Sequence, residues 1–310
     1  MSPLTTQPAT TGTTALPPAA LPPAAAPKRR QSRSAWSSKL AVNIMLGLFC
    51  LYTLLPLSWL IVASTKNTSD LHGTAGFAFA DFNLIENLTQ LFTWENGTFL
   101  RWMANTGAYA GLGACASVAV SFLAGHAFDK FDFPGKERWF GFVLVWVLVP
   151  AAVTTMPLYL LASNLGLVNN FWGVFLPQIA SLFGVYLARM FSASYVPKEI
   201  IEAARLDGAG EFRAFLTIAA PLMKPGIVTL FLMTFSAIWN NFFLPLVMLS
   251  DINLFPAALG IYSWHGRTLG DPEYAQLVVV GSLVTIIPVI ILFISLQRFW
   301  KAGIGSGALK

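Results

Sequence analysis

Apolar residues in this chain follow neither the alternation of a half-buried strand nor the one-sided stripe of a soluble helix. They gather into long runs separated by short polar segments. Six runs stand out: Leu40–Ala63, Met103–Leu123, Trp139–Ala162, Phe171–Met190, Ile227–Leu249 and Ala275–Leu296. Each holds roughly 20 to 24 residues, and at a rise of about 1.5 Å per residue each reaches across a hydrocarbon core of about 30 Å. The pattern therefore predicts an all-α polytopic membrane protein with six transmembrane helices.

Composition strengthens that reading, because 55% of the residues are apolar and 11% charged, which excludes an ordinary water-soluble core. Cys50 and Cys115 both fall inside apolar runs, so they are expected to be inert core thiols rather than a disulfide framework or a thiolate metal site. The net charge of +5 suggests nucleic acid until the basic residues are sorted by membrane side. Six spans place both termini on one side. With that side cytoplasmic, 16 of the 19 basic residues lie inside, leaving Lys66, Arg101 and Arg267 outside, while the acidic residues divide 7 and 7. The excess of Lys and Arg inside predicts cytoplasmic N and C termini and accounts for the charge without nucleic acid.

The chain is expected to organise as a disordered, Pro/Ala-rich basic tail over residues 1–39, with its least structured part at 1–27. A first span and external loop occupy 40–100, a core of the five further spans 101–297, and a cytoplasmic C-terminal tail 298–310. KRRQSRS before the first span resembles a twin-arginine signal, but the following run is as long as a full span, so an uncleaved first helix is expected.

Inside the spans, Gly107 and Gly111 lie four apart among alanines, a surface on which another helix can approach closely. Pro150, Pro157, Pro177 and Pro288 predict kinks. The stretch FSAIWNNFFLPL places Trp239, Asn240, Asn241 and Pro245 deep in an apolar helix. Two adjacent amides there either face a polar pathway or bond to neighbouring helices, and Trp239 either stacks on a sugar face or packs. His72, His126 and His265 sit in separate segments with no spacing that converges on a metal or a nucleophile. Nor does the chain contain GxSxG, HExxH or the GxxxxGK[ST] phosphate loop.

Between the fourth and fifth spans lies a charged, alanine-rich stretch, IIEAARLDGAGEFRAF. A short helix is predicted over Val196–Leu206, with Pro197 at its first position, Glu199 at its positive end and Lys198 facing Glu202 four residues on. Gly208 is the expected left-handed stop, and a second short helix follows from about Gly210 to Ile218, ended by Pro221 and Pro225. Val196, Ile200, Ala203 and Ala204 line one side of the first helix. Helices this short need a surface to pack on, either the chain's own loops or a partner.

EAARLDGA followed by IAAP, through Glu202, Ala203, Ala204, Gly208, Ile218 and Pro221, resembles the EAA signature of the membrane subunits of binding-protein-dependent ABC importers. Ala220 departs from it, since a leucine usually precedes the proline. The likeness extends over roughly residues 100–310 through FPGK, PLYLLASNLGLVNN, WNNFFLPL and AGIGSGALK, and looks like the six-span partner of the maltose type.

The resemblance implies a type I ABC importer permease fold, multi-pass in a bacterial cytoplasmic membrane and without catalysis of its own. It also implies that the elbow 196–221 docks on a cytoplasmic ATPase dimer, with Glu202, Ala203, Ala204, Asp207 and Gly208 as the coupling residues. ATP and magnesium would belong to that ATPase, and this chain would hold no cofactor. A second, similar permease would complete the pathway, with Trp239, Asn240 and Asn241 as its candidates here. An extracellular binding protein would deliver the sugar to outer loops including 251–274. Two other readings remain: the same importer carrying glycerol phosphate, or a membrane scaffold or receptor whose elbow recruits some other partner.

Overall fold

The computed structural model describes residues 33–307, and every regular element among them is helical. The sequence reading of residues 1–27 falls outside that range. The chain divides into two units at Thr53. The described part of the first is the N-terminal portion of helix α1 (Arg33–Ser64), along which Val42, Met45 and Phe49 are exposed. Helix begins at Arg33, so the predicted tail is already helical over 33–39.

In the second unit α1 ends with Val62, Ala63 and Ser64 buried. Two short helices follow, α2 (Thr68–Gly73) and α3 (Leu84–Thr93), and then α4 (Thr98–Lys130). Next come α5 (Lys136–Val147) with α6 (Ala151–Asn164), and α7 (Phe171–Ile179) with α8 (Leu182–Tyr195). An elbow is made of α9 (Lys198–Leu206), α10 (Glu211–Ala214), a π-helical turn Phe215–Ala219 and α11 (Ala220–Leu222). The chain closes with α12 (Lys224–Trp239), α13 (Phe243–Met248), α14 (Ala257–His265) and α15 (Glu273–Gly307).

Helix α4 is the axis of the fold and packs most extensively on α8 and α12. Three buried clusters follow one another along it. Phe99 and Trp102 join Trp264 and Leu277 at the end far from the elbow; Tyr109, Ala110 and Ala114 join Val174, Ile238 and Trp239 in the middle; Val118 and Phe122 join Ala188, Phe215 and Leu230 at the elbow end. Glycine decides two contacts. A Cβ on Gly125 would stand 2.5 Å from the Arg189 nitrogen, and one on Gly260 2.1 Å from the Trp102 ring. The backbones of α4 and α8 therefore touch at Gly125, whereas Gly107 and Gly111, the expected close-approach pair, face open space within this chain.

Among the described residues four helical spans are long and apolar enough to cross a membrane: Lys39–Ser64, Thr98–Lys130, Phe171–Tyr195 and Glu273–Gln297. Two further pairs bring the number to 6 if each bent pair is one span. The predicted third span breaks at residues 148–150 with a bend of 103°, because Pro150 removes a donor and turns the residue before it away from helix. The predicted fifth span also breaks. Its helix stops at Trp239, Asn240 caps it, and the chain resumes as α13, while an 82° bend at Met223 separates α12 from the elbow. Asn240 and Asn241 thus sit at a helix break and not deep within a helix.

Three smaller expectations change as well. Cys50 and Cys115 are exposed on the chain and not in its core. Helix α15 continues to Gly307 through most of the predicted C-terminal tail. The second elbow helix does not end before Pro221 but runs on through the π-helical turn Phe215–Ala219 into Ala220–Leu222.

Candidate functional site

The elbow is built by local chemistry. Pro197, in extended conformation, caps α9, and Glu199 sits in its first turn where the helix dipole favours a carboxylate. At the other end Gly208 adopts φ +81°, its N–H bonds to the Arg205 carbonyl at 3.0 Å, and the Ala209 N–H reaches back to Ala204 at 2.9 Å. That pair of bonds is a Schellman motif, in which the left-handed residue lets the chain double back and satisfy two otherwise free carbonyls. Arg205 then straps the turn from outside, its guanidinium donating to both carboxylate oxygens of Glu211 at 2.6 and 3.1 Å. This bond raises the already high pKa of Arg205 further.

Burial identifies which side of α9 is held. Val196, Ile201 and Ala204 are buried with Phe215 and Met223, whereas Ile200 and Ala203, expected on the packed side, are exposed. Lys198 and Glu202 form no ion pair among the described residues, and Glu202 is exposed. Ile200, Ala203, Asp207, Gly208, Arg213 and Ile218 instead line an open concavity of about 440 Å³. Four of the five predicted elbow residues, Ala203, Ala204, Asp207 and Gly208, border it; Glu202 stands outside on the same exposed helix. The arrangement offers an open hollow with small side chains, one carboxylate and one guanidinium to another macromolecule.

The second candidate region is the break after α12. Trp239 is buried, stacks on Phe235 with ring centroids 5.4 Å apart and donates its indole N–H to the Thr285 carbonyl at 3.1 Å. Its ring is packing in this conformation and is not open to a solute. Asn240 is exposed and its amide donates to the Ser236 carbonyl at 2.8 Å. Asn241 is half-buried beside a small internal space shared with Thr106, Tyr109 and Gln178, where the Gln178 side-chain oxygen has no partner. Gln178 directly follows the kink proline Pro177. Its free oxygen, beside Asn241, is a product of tertiary packing.

The segment between α13 and α14 is tied down by side chains that sequence reading passed over. Asn169, at φ 55°, accepts from the Ser250 and Asp251 N–H groups at 2.9 and 2.8 Å. Asn105 donates to the carbonyls of Asn253 and Phe255 at 2.7 and 3.0 Å. Among the described residues no group of three or more His, Cys, Asp or Glu could hold a metal ion.

Residues 117–304 match the family described as the binding-protein-dependent transport system inner membrane component. The chain is 32% identical over 259 residues to the arabinooligosaccharides transport system permease protein AraQ of Halalkalibacterium halodurans, covering 82% of this chain and 90% of that one. It is 29% identical to the lactose transport system permease protein LacG of Rhizobium radiobacter, over 86% of this chain and 94% of the relative. It is 30% identical to the sn-glycerol-3-phosphate transport system permease protein UgpE of Salmonella typhi, over 84% and 94%. In fold it is similar to a chain of a solved bacterial ABC transporter involved in the import of the acidic polysaccharide alginate. That match has a TM-score of 0.74 and 23% identity, over 87% of this chain and 98% of the other.

Proposed function

The chain belongs to the family of binding-protein-dependent transport system inner membrane components. From that premise we propose that it is the six-span permease subunit of an ATP-driven importer for a neutral sugar or oligosaccharide. Each bent helix pair counts as one span, both termini lie in the cytoplasm, and the permease core occupies residues 101–297. The partners are a second permease, a cytoplasmic ATPase dimer that binds ATP and magnesium, and an extracellular sugar-binding protein. The observation that carries this reading is the elbow: a Schellman turn projects Glu202 to Gly208 from the bundle on the side where basic residues accumulate.

In this mechanism the ATPase grips α9 through the concavity lined by Ala203, Asp207 and Gly208, with Glu202 as the anchoring charge. Closure of the ATPase dimer shifts the elbow and, through it, the helices that open or shut the pathway. Asn240 and Asn241 offer amides to passing hydroxyls at the break, which Trp239 holds in place from behind.

A specific observation favours neutral cargo over glycerol phosphate. Only Lys66, Arg101 and Arg267 are basic on the external side, and each is engaged. Lys66 is buried and donates to the Ala75 carbonyl at 2.8 Å, Arg101 bonds Asn253, and Arg267 pairs with Glu95 at 3.5 Å. Among the described residues a phosphate arriving there would have to displace an existing partner of each of these three cations. Deleting the gene and measuring uptake of labelled arabino-oligosaccharide, lactose and sn-glycerol-3-phosphate tests the assignment. Loss of a sugar alone supports it, loss of glycerol phosphate alone moves the cargo, and unchanged uptake of every solute, with no ATPase co-purifying, sinks it.

A further inference from the structure

Where α4, α8 and the elbow meet, the protein buries a cluster of polar and charged side chains in otherwise apolar surroundings. The Ser192 hydroxyl donates to Asp129 Oδ2 at 2.8 Å and lies 3.0 Å from His126 Nδ1, while Lys130 Nζ pairs with the same carboxylate oxygen at 2.8 Å. Ser192 is 0% exposed, His126 4%, and the Lys130 and Asp129 side chains 4% and 13%. Lys130 also donates to the carbonyl of Val196, the residue that ends α8 and immediately precedes Pro197 at the cap of α9. On the other arm of the elbow, the Phe215 ring centroid lies 5.2 Å from that of His126.

We propose that Asp129, Lys130, Ser192 and His126 form a clasp that fixes both arms of the elbow to α4 and α8, so that a push on the elbow moves all of them as one body. The proposal rests on the importer reading above and assigns these four as positioning residues for coupling; none touches cargo or nucleotide.

The energetics single the cluster out. Burying a carboxylate and an ammonium carries a desolvation cost that their mutual attraction at best roughly offsets, so well-packed apolar residues would hold the fold at least as well. What apolar residues would lack is direction: Lys130 reaches one particular carbonyl at the elbow's root while its partner carboxylate is gripped by α8 through Ser192. Gly125 permits this by letting α4 lie directly against the backbone of α8 at Ala188 and Arg189. The elbow is therefore anchored on the α4–α8 side, and the 82° bend at Met223 lies on its other side.

The test uses the intact complex purified through this chain in nanodiscs, with Cys50→Ser and Cys115→Ser, and spin labels on Phe212→Cys in the second arm of the elbow and Leu112→Cys on α4. Both labelled positions are exposed. Electron–electron double resonance reads the distance between them without nucleotide and with ATP–vanadate and magnesium. A rigid body gives one narrow distribution that nucleotide does not move. Asp129→Asn with Lys130→Met removes both charges together and is expected to broaden the distribution even without nucleotide, and to let nucleotide shift it. Lys130→Arg alone should restore the narrow peak. Ser192→Ala, which deletes only the shared hydroxyl, is the second variant should the double change fail to assemble, and its distribution should broaden likewise. A distribution as narrow in the variants as in the parent overturns the clasp, as does a parent distance that shifts with nucleotide. Absence of any ATP-hydrolysing subunit from the parent complex would instead count against the importer reading, leaving the nucleotide-free comparison to decide the clasp.

Discussion

Gly208→Val isolates one backbone angle. Gly208 sits at φ +81° on the elbow, and a Cβ built there meets no atom within 4 Å, so the substitution creates no collision. Its cost is the left-handed conformation itself, about 1–2 kcal/mol for a residue with a side chain, and a branched one such as valine stands at the upper end. The chain can bear that strain or relieve it by opening the turn. Opening it gives up the Gly208-to-Arg205 and Ala209-to-Ala204 bonds, each worth about 1 kcal/mol net. Either route leaves the docking geometry less populated by roughly 5- to 30-fold. Asparagine tolerates this region, so the order of retention should be Gly, Asn, Ala, Val. The assay is the amount of ATPase held per permease on an affinity column at fixed protein concentration, with thermal unfolding of the permease as the control. Unfolding should hardly move, because Gly208 is exposed and belongs to none of the buried clusters. If Gly208→Val retains ATPase and transports like the parent, the elbow does not dock through this turn.

Three further changes probe the scaffold. Gly125→Leu forces a side chain into the Arg189 nitrogen and Ala188 and should lower stability by about 1–3 kcal/mol or more. Gly107→Leu, at an open position, should leave the thermal midpoint of the purified chain unchanged. Equal midpoints would show that α4 and α8 do not touch at Gly125. Asn169→Gly keeps the positive φ but deletes two bonds to the α13–α14 segment, a loss of about 1–3 kcal/mol. It should appear as faster amide exchange at Ser250 and Asp251, and undiminished protection there would refute the tie. Arg205→Ala removes a half-exposed bidentate pair worth about 0.2–1 kcal/mol, so the midpoint should stay while exchange across 206–211 quickens. A midpoint drop without local change would contradict that assignment.

Much of the elbow was legible in sequence because its signals act over a few residues. Pro197 starts the helix, Gly208 stops it left-handed, and the capping bonds span three and five positions, so spacing alone carries the geometry. Which face of α9 packs was not legible. In an alanine-rich segment of nine residues the apolar positions are too alike, and the choice of Ile201 over Ile200 follows from where Phe215 and Met223 come to lie. The same limit applied inside the spans. Lipid-facing and core-facing positions are both apolar, so periodicity could not separate Gly107 and Gly111, which face open space, from the closely packed Gly113 and Gly125, nor place Cys115.

By itself, then, the sequence determined the membrane setting, the approximate runs and the turn chemistry of the elbow, because length, hydropathy and local capping are short-range properties of the chain. Only the tertiary structure decided where the long runs break, at residues 148–150, 180–181 and 240–242. Proline and asparagine there permit a break without requiring one, and neighbouring helices must accept the freed backbone groups. Tertiary structure alone also joined Asp129 to Ser192, Lys130 to Val196 and Asn169 to Ser250, over separations of more than 60 residues. Such contacts leave no periodic trace, since each half is an ordinary polar residue until packing removes the water around it.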